Sequence, residues 1–339
     1  MLHCFSREKN KQINFRLQTY SPYLGNEGIL KGDIVITMFI DAHCDTASVL
    51  LDNRKVLKKN ECHLDLTRMP KGYTQIFAAY IAPEYHNAPM ARAEAIIQKL
   101  RFEVEKKTNK IELCTNNAQR EAALKNGNAA AFISLEGGEP IKTADDVEKL
   151  YEMGVRFVSL TWNGANHLAG GVDSEKRLTE QGRKIIEKMS KMGMIVDVSH
   201  LNEQSFWDVM RVTSWPVVAT HSCARSVCDN KRNLTDEQFS AICSRGGVVG
   251  INFYPKFLNR RNKAYIKNII KHIDHFLKLG GENHIGLGSD FDGVDVLPQD
   301  LSGIQDMQNL AQAFKEHGYS DKLIDKICYG NFERILRLL

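Results

Sequence analysis

From Met38 onward, short apolar runs rich in β-branched and aromatic residues alternate with amphipathic stretches of helical period. The runs are MFIDAH (38–43), IFAAYIA (76–82), AAFISLEG (130–137), FVSLTW (157–162), MIVDVSH (194–200), PVVATHS (216–222), VVGINFY (248–254) and HIGLGSDF (284–291). Between them lie helix-like stretches such as MARAEAIIQKLRFEVEKK, DDVEKLYEMG, TEQGRKIIEKMSKMG and AYIKNIIKHIDHFLKLG, several ending in Gly as helix C-termini often do. Strands separated by helices pair in parallel. Eight of them predict an α/β fold closed into a (β/α)8 TIM-type barrel, in preference to an open doubly wound sheet. No internal repeat, low-complexity tract or Pro/Gly-rich linker interrupts the pattern, so residues 38–339 read as one domain.

A chain of 339 residues, 43% hydrophobic and 25% charged, can bury such a core. Its net charge of +4 is small, and no basic stripe points to a nucleic-acid partner. The one dense basic run, NRRNKAYIKNIIKH (259–272), reads as the solvated face of a helix. Eight cysteines without a CxxC pair suggest free thiols in a reducing compartment. Residues 1–37 are polar and weakly periodic: either a leader ahead of a natural start at Met38, or an N-terminal arm packed on the domain. They lack the apolar centre of a signal peptide, and IVITMFI is too short to span a bilayer. The expected location is cytoplasmic, with no membrane partner.

The polar exceptions within the strands fall at their ends. His43 and Asp45 end the first run, Glu136 the third, His200 the fifth, His221 the sixth and Asp290 the eighth. In a barrel these C-terminal strand ends form the face that carries active sites. Alternation predicts an inward aim, because Phe132, Ser134 and Glu136 share a face. The same count groups Val196, Val198 and His200, then Val217, Ala219 and His221, then Gly286, Gly288 and Asp290. Any one of them alone would read as a structural histidine or a helix cap; six at five strand ends predict a metal site. Imidazole and carboxylate ligands without thiolate suit zinc, and also manganese, cobalt or iron. The set exceeds what one open four-coordinate ion requires, which favours two metals bridged by Glu136. Two such cations would lower the pKa of a bridging water and supply hydroxide near neutral pH. Asp290 would then act as general acid/base. Asp41, one layer below His43 and Asp45, is expected either to orient a ligand or to make a structural hydrogen bond.

The segments IDAHCDT, ISLEGGEP, IVDVSH, VVATHSCARSVCDNKRNLTDEQF, GGVVGINFYP, IGLGSDFDG and YGNFERIL resemble the renal (membrane) dipeptidase family, peptidase family M19 of the amidohydrolase-type barrels. The resemblance covers all but the leader. It implies a (β/α)8 barrel with two zinc ions (Zn2+) per subunit that hydrolyses dipeptides, tolerates a D-residue at the C-terminal position, and forms a homodimer. Carried over motif by motif, His43, Asp45 and Glu136 would hold one zinc, and Glu136, His200 and His221 the other. Asp290 would be the acid/base near the leaving amine, and Arg232 would bind the substrate's carboxylate. Without the family, Arg232 reads as a solvated arginine before a helix opened by the capping-box-like Thr-Asp-Glu-Gln at 235–238. One departure stands out. Members often carry a His after Leu-Thr of the fourth strand, thought to polarise the scissile carbonyl, where this chain has Trp162. His167 or Asn163 is the candidate replacement. The alternatives are the same site acting on another amide or ester, such as an N-acyl amino acid or lactam-like bond, and a non-catalytic metal-binding protein.

Overall fold

A computed structural model describes residues 38–261 and 263–339; residues 1–37, read above as a leader or an N-terminal arm, lie outside the described residues. The strands are β1 (Phe39–Cys44), β2 (Tyr73–Tyr80), β3 (Ile111–Leu113), β4 (Ala129–Glu136), β5 (Val155–Ser159), β6 (Ile195–Asp197), β7 (Val217–Ser222), β8 (Val248–Ile251) and β9 (Ile285–Leu287). All pair in parallel in the order β2-β1-β9-β8-β7-β6-β5-β4, and a β2–β4 ladder shuts the ring. The fold is the (β/α)8 barrel that the alternation predicts. β3, which the apolar pattern did not mark, runs beside the first residues of β4, below the point where β5 joins at Ile133.

Closure divides the apolar side chains into two buried sets. Ile40, Ile76, Phe132, Phe157, Ile195, Val218 and Val248 come from all round the ring and fill its interior. The helix Asn331–Leu336 plugs the lower end of this core with Phe332, Ile335 and Leu336. Gly286 leaves the room: a Cβ there would lie 2.4 Å from the Phe332 ring. Outside the ring, Val158, Val196, Val217 and Val249 pack against Ile185, Met189, Phe206 and Phe239 of the surrounding helices. Burial on both faces explains why the strands read as continuous apolar runs.

Helices Pro89–Val104, Ala144–Glu152, Glu180–Lys191 and Ile266–Lys278 occupy the predicted amphipathic stretches. Thr235 opens helix Asp236–Ser244 with the full capping box anticipated from its sequence. The basic run differs from expectation, since Arg260, Arg261 and Lys263 are exposed in the loop ahead of its helix. That helix starts only at Ile266, whose N–H donates to Asp300, while Asn268 accepts from the Tyr265 N–H. Among the described residues, Cys44, Cys62, Cys114, Cys223, Cys228, Cys243 and Cys328 are free thiols, and no helix is long and apolar enough to cross a membrane.

Candidate active site

Glu136 arrives by the route alternation predicts. It is the last residue of β4, on the inward face of Phe132 and Ser134. The histidines arrive differently. The β1–β2 register slips by one residue between Asp41 and Cys44, and the β7–β8 register does so between Ala219 and Ser222. An extra residue in one strand of a ladder bends it and re-aims a side chain. His43 and His221 sit inside these two irregular stretches. Val196, Val198, Val217 and Ala219 belong to the outer core, so the phase expected for His200 and His221 is wrong. β6 in fact ends at Asp197, and His200 comes from the turn beyond it. Asp45 sits at the N-terminus of helix Thr46–Asp52 without capping it. Asp290 follows β9 with φ 63°, a left-handed conformation that Asp tolerates better than most residues.

These six side chains converge at the C-terminal mouth of the barrel. Glu136 faces two ways. Its Oε2 lies 3.5 Å from His43 Nε2, while Oε1 lies 2.7 Å from His200 Nε2 and 3.6 Å from His221 Nε2. His43 Nε2 is also 3.5 Å from Asp45 Oδ2 and 3.9 Å from Asp290 Oδ1. The Nε2 atoms of His200 and His221 are 2.8 Å apart.

The electrostatics of this cluster suit a cation. Burial pushes Glu136 up to about 7, and the nearby Asp45 charge adds to the rise. Burial likewise raises Asp290, with Asp45 again contributing. Burial also holds His200 and His221 well below the ordinary imidazole value, with Arg232 and His43 adding to the effect, so both keep lone pairs. Burial opposes charge on His43, but the carboxylates of Glu136 and Asp45 outweigh it and hold that imidazole well above its usual value. His43 Nε2 and Asp45 Oδ1 are buried without a hydrogen-bond partner, a costly state unless a ligand satisfies them. Two overlapping trios, His43–Glu136–His221 and His43–Asp45–Asp290, each bring ligand atoms within 4.8 Å of one another. Gly293 keeps the space open: a Cβ there would lie 2.2 Å from Asp45 Oδ2 and 2.4 Å from Asp290 Oδ1. Nitrogen and oxygen donors, no thiolate and orphaned ligand atoms together fit a divalent metal such as zinc.

The site opens into a cavity of about 540 Å³ whose lining includes Tyr80, Trp162, Asn163, Arg232 and Tyr254. Arg232 is buried there, not solvated. Its Nη1 donates to the Ser199 carbonyl, Nη2 donates to the His221 carbonyl at 3.3 Å, and Nη2 also faces His200 Nε2 at 3.2 Å. Trp162 stands in the wall, its ring 5.4 Å from that of Tyr80 and 6.3 Å from that of His200. Asn163 has a different task from the one expected, because its Oδ1 holds His200 Nδ1 at 2.9 Å. His167 does not reach inward; its Nε2 is bonded to the Ile141 carbonyl at 2.7 Å. Asp41 makes the structural bonds, accepting from Ser289 N at 2.8 Å and Ser289 Oγ at 2.5 Å, so it ties β1 to the segment after β9.

Three supporting residues escaped the sequence reading. Asn252 Nδ2 donates to Asp290 Oδ2 at 2.9 Å. Thr220 Oγ1 lies 2.8 Å from His221 Nδ1 and donates to Asp197 Oδ2 at 2.6 Å. Asp197 and Asn252 each stand as a single polar letter in an apolar run and Thr220 directly precedes His221, signals legible only once the inward face is known.

Comparison with known proteins agrees with this geometry. The family model described as membrane dipeptidase (peptidase family M19) matches residues 34–339. An "uncharacterized protein in pqqA 5'region" of Klebsiella pneumoniae is 35% identical over 241 residues, covering 67% of this chain and 89% of that protein. The crystal structure of dipeptidase AC, a metallopeptidase of family M19, superposes with a TM-score of 0.83 at 30% identity, covering 89% of this chain and 98% of the other. A Rhodobacter sphaeroides metallopeptidase, solved with a phosphinate mimic of the dipeptide L-Ala-D-Ala, gives 0.82 at 29% identity, covering 88% and 98%. With its barrel, its cluster of metal-compatible ligands and a family match over its described length, the chain belongs to the membrane dipeptidase family, the metallopeptidases of family M19.

Proposed function

We propose that this chain hydrolyses the peptide bond of dipeptides, including those ending in a D-residue, and that it does so with two zinc ions. The observation that carries this reading is the two-sided placement of Glu136, with His43 at one carboxylate oxygen and His200 and His221 at the other. His43, Asp45 and Glu136 would hold one ion, and Glu136, His200 and His221 the second, with Glu136 shared. Zinc bound there supplies a Lewis acid that polarises a carbonyl and brings the ionisation of water toward neutral pH.

The chain's own groups orient the substrate and move the proton. Arg232 is pinned by two backbone carbonyls and keeps further N–H donors for a planar carboxylate at the substrate's C-terminus. Asp290 keeps Oδ1 toward the reaction centre, while Asn252 holds Oδ2. From there it takes the proton of the attacking water and passes it to the leaving amine. Acceptance of a D-residue is supported by the L-Ala-D-Ala mimic bound to the Rhodobacter relative.

The test is zinc content of the purified protein, measured beside cleavage of L,L and L,D dipeptides before chelation, after it, and after zinc reloading. Two equivalents with chelator-sensitive cleavage are expected. Two equivalents without dipeptide cleavage would move the activity to another amide or ester, such as an N-acyl amino acid, with Trp162 the first suspect. No zinc uptake after reloading would overturn the proposal.

A further inference from the structure

We infer that one hydroxyl, that of Thr220, positions two of the candidate ligands by fixing which ring nitrogen of each carries the proton; the inference rests on the metal-centre reading above. Thr220 Oγ1 lies 2.6 Å from Asp197 Oδ2, 2.8 Å from His221 Nδ1 and 3.4 Å from His43 Nδ1. A threonine hydroxyl has one proton and two lone pairs. Asp197 claims the proton. Its carboxylate is met only by donors: Ser159 Oγ at 2.6 Å, Ser199 N at 3.0 Å, Ser199 Oγ at 2.6 Å, and Thr220 through both N, at 3.0 Å, and Oγ1. Ser199 also lies 3.3 Å from Thr220 Oγ1, but its own proton is directed at Asp197.

With its proton committed, Oγ1 presents only lone pairs to the two imidazoles. His221 and His43 must each donate from Nδ1, which leaves each Nε2 facing the Glu136 carboxylate. The centroids of the two rings lie 3.7 Å apart with the planes tilted by 33°, so a shift of one is felt by the other. They also stand at different oxygens of Glu136, so a single side chain sets ligand geometry on both sides of that carboxylate. His200 is served separately, by Asn163. The hydroxyl is fully buried, which excludes solvent as a competing partner. Thr220 is thus a positioning residue, acting through His221 and His43.

Zinc affinity of the metal-free, full-length protein, measured by competition with a chromophoric chelator, tests the assignment in wild type, T220V, T220S and S159A. T220V keeps the shape of the side chain and removes the hydroxyl; its affinity should fall about 10- to 100-fold at both equivalents. T220S restores the hydroxyl and should bind as the wild type does. S159A removes a different donor from Asp197 and should weaken binding far less than T220V. Equal affinity in T220V and wild type, loss of only one equivalent, or equal losses in T220V and S159A would each overturn the inference. Nitrogen NMR of the wild-type imidazoles gives an answer that no folding defect can obscure: a neutral His221 should be protonated at Nδ1, and protonation at Nε2 would overturn the role of Thr220. Wild type that binds no zinc would overturn the proposed function instead, leaving the NMR result to judge Thr220.

Discussion

Gly293 has no space for a methyl group, because the carboxylates of Asp45 and Asp290 fill the position a Cβ would take. Gly293 itself is exposed at the rim, so an alanine there would push on two functional oxygens without disturbing the packed core. G293A should therefore melt close to wild type yet lose about 100-fold in kcat/KM, the scale of loss expected when reacting groups are misplaced by about an ångström. Steady-state kinetics beside a thermal melt check it; wild-type kinetics would show that the two carboxylates need no fixed separation. Asp290 and Asp292 come just before this point with φ of 63° and 67°. Left-handed non-glycine residues cost energy and persist where surrounding structure enforces them. Here the enforcement is visible: Asn252 holds Asp290, while Thr46 Oγ1 and the His63 N–H, both at 2.6 Å, hold Asp292.

The helix Ile266–Lys278 carries a pH-dependent fastening. Its His272 accepts from the Ala224 N–H at 3.0 Å through Nδ1 and donates to the Leu258 carbonyl at 3.1 Å through Nε2. Burial pushes this imidazole down from the ordinary 6.5 to about 4. The unfolded chain therefore binds a proton that the folded one refuses, and stability present above pH 6.5 is lost as pH falls toward 4. The shift corresponds to about 3 kcal/mol. H272Q, which can both accept and donate, should flatten this part of the stability profile in urea melts between pH 7 and 4; an unchanged profile would assign the acid sensitivity elsewhere. The elements themselves were legible because their signals are local: apolar runs for strands, amphipathic period and a capping box for helices. Glu136 was legible for the same reason, since simple alternation carries β4 to its last residue. His43 and His221 reach the expected mouth, but the route that takes them there was not legible. It depends on a slip against a neighbouring strand, which no residue of β1 or β7 declares by itself. Which of Asn163 and His167, the two candidates for one role, would face the site was illegible for a similar reason, since the loop's hydrogen bonds to His200 and Ile141 decide it.

At the scale of the whole molecule, the site exists only because the ring closes. Its candidate residues come from β1, β4 and β7 and from the turns after β1, β6 and β9, and the β2–β4 ladder completes the circuit. The opposite end holds the ring together around Phe332, which fills the space that Gly286 vacates. F332A should cost about 3–5 kcal/mol of stability, the range for emptying a large aromatic from a core. Because the plug lies at the far end of the barrel from the ligands, kcat and KM should stay at wild-type values below the melting transition. A denaturation curve and a kinetic assay on the same preparation separate the two effects; a parallel loss of activity would mean that the ends of the barrel are coupled. The register slips carry a further consequence, for descent rather than for chemistry. A lineage could delete one residue between Asp41 and Cys44, keep the letters of all six candidate site residues in order, and turn His43 away from its partners. Inactive descendants of such a barrel would then be recognised by a gap of one position in an alignment, where a search for missing ligands would pass them as intact.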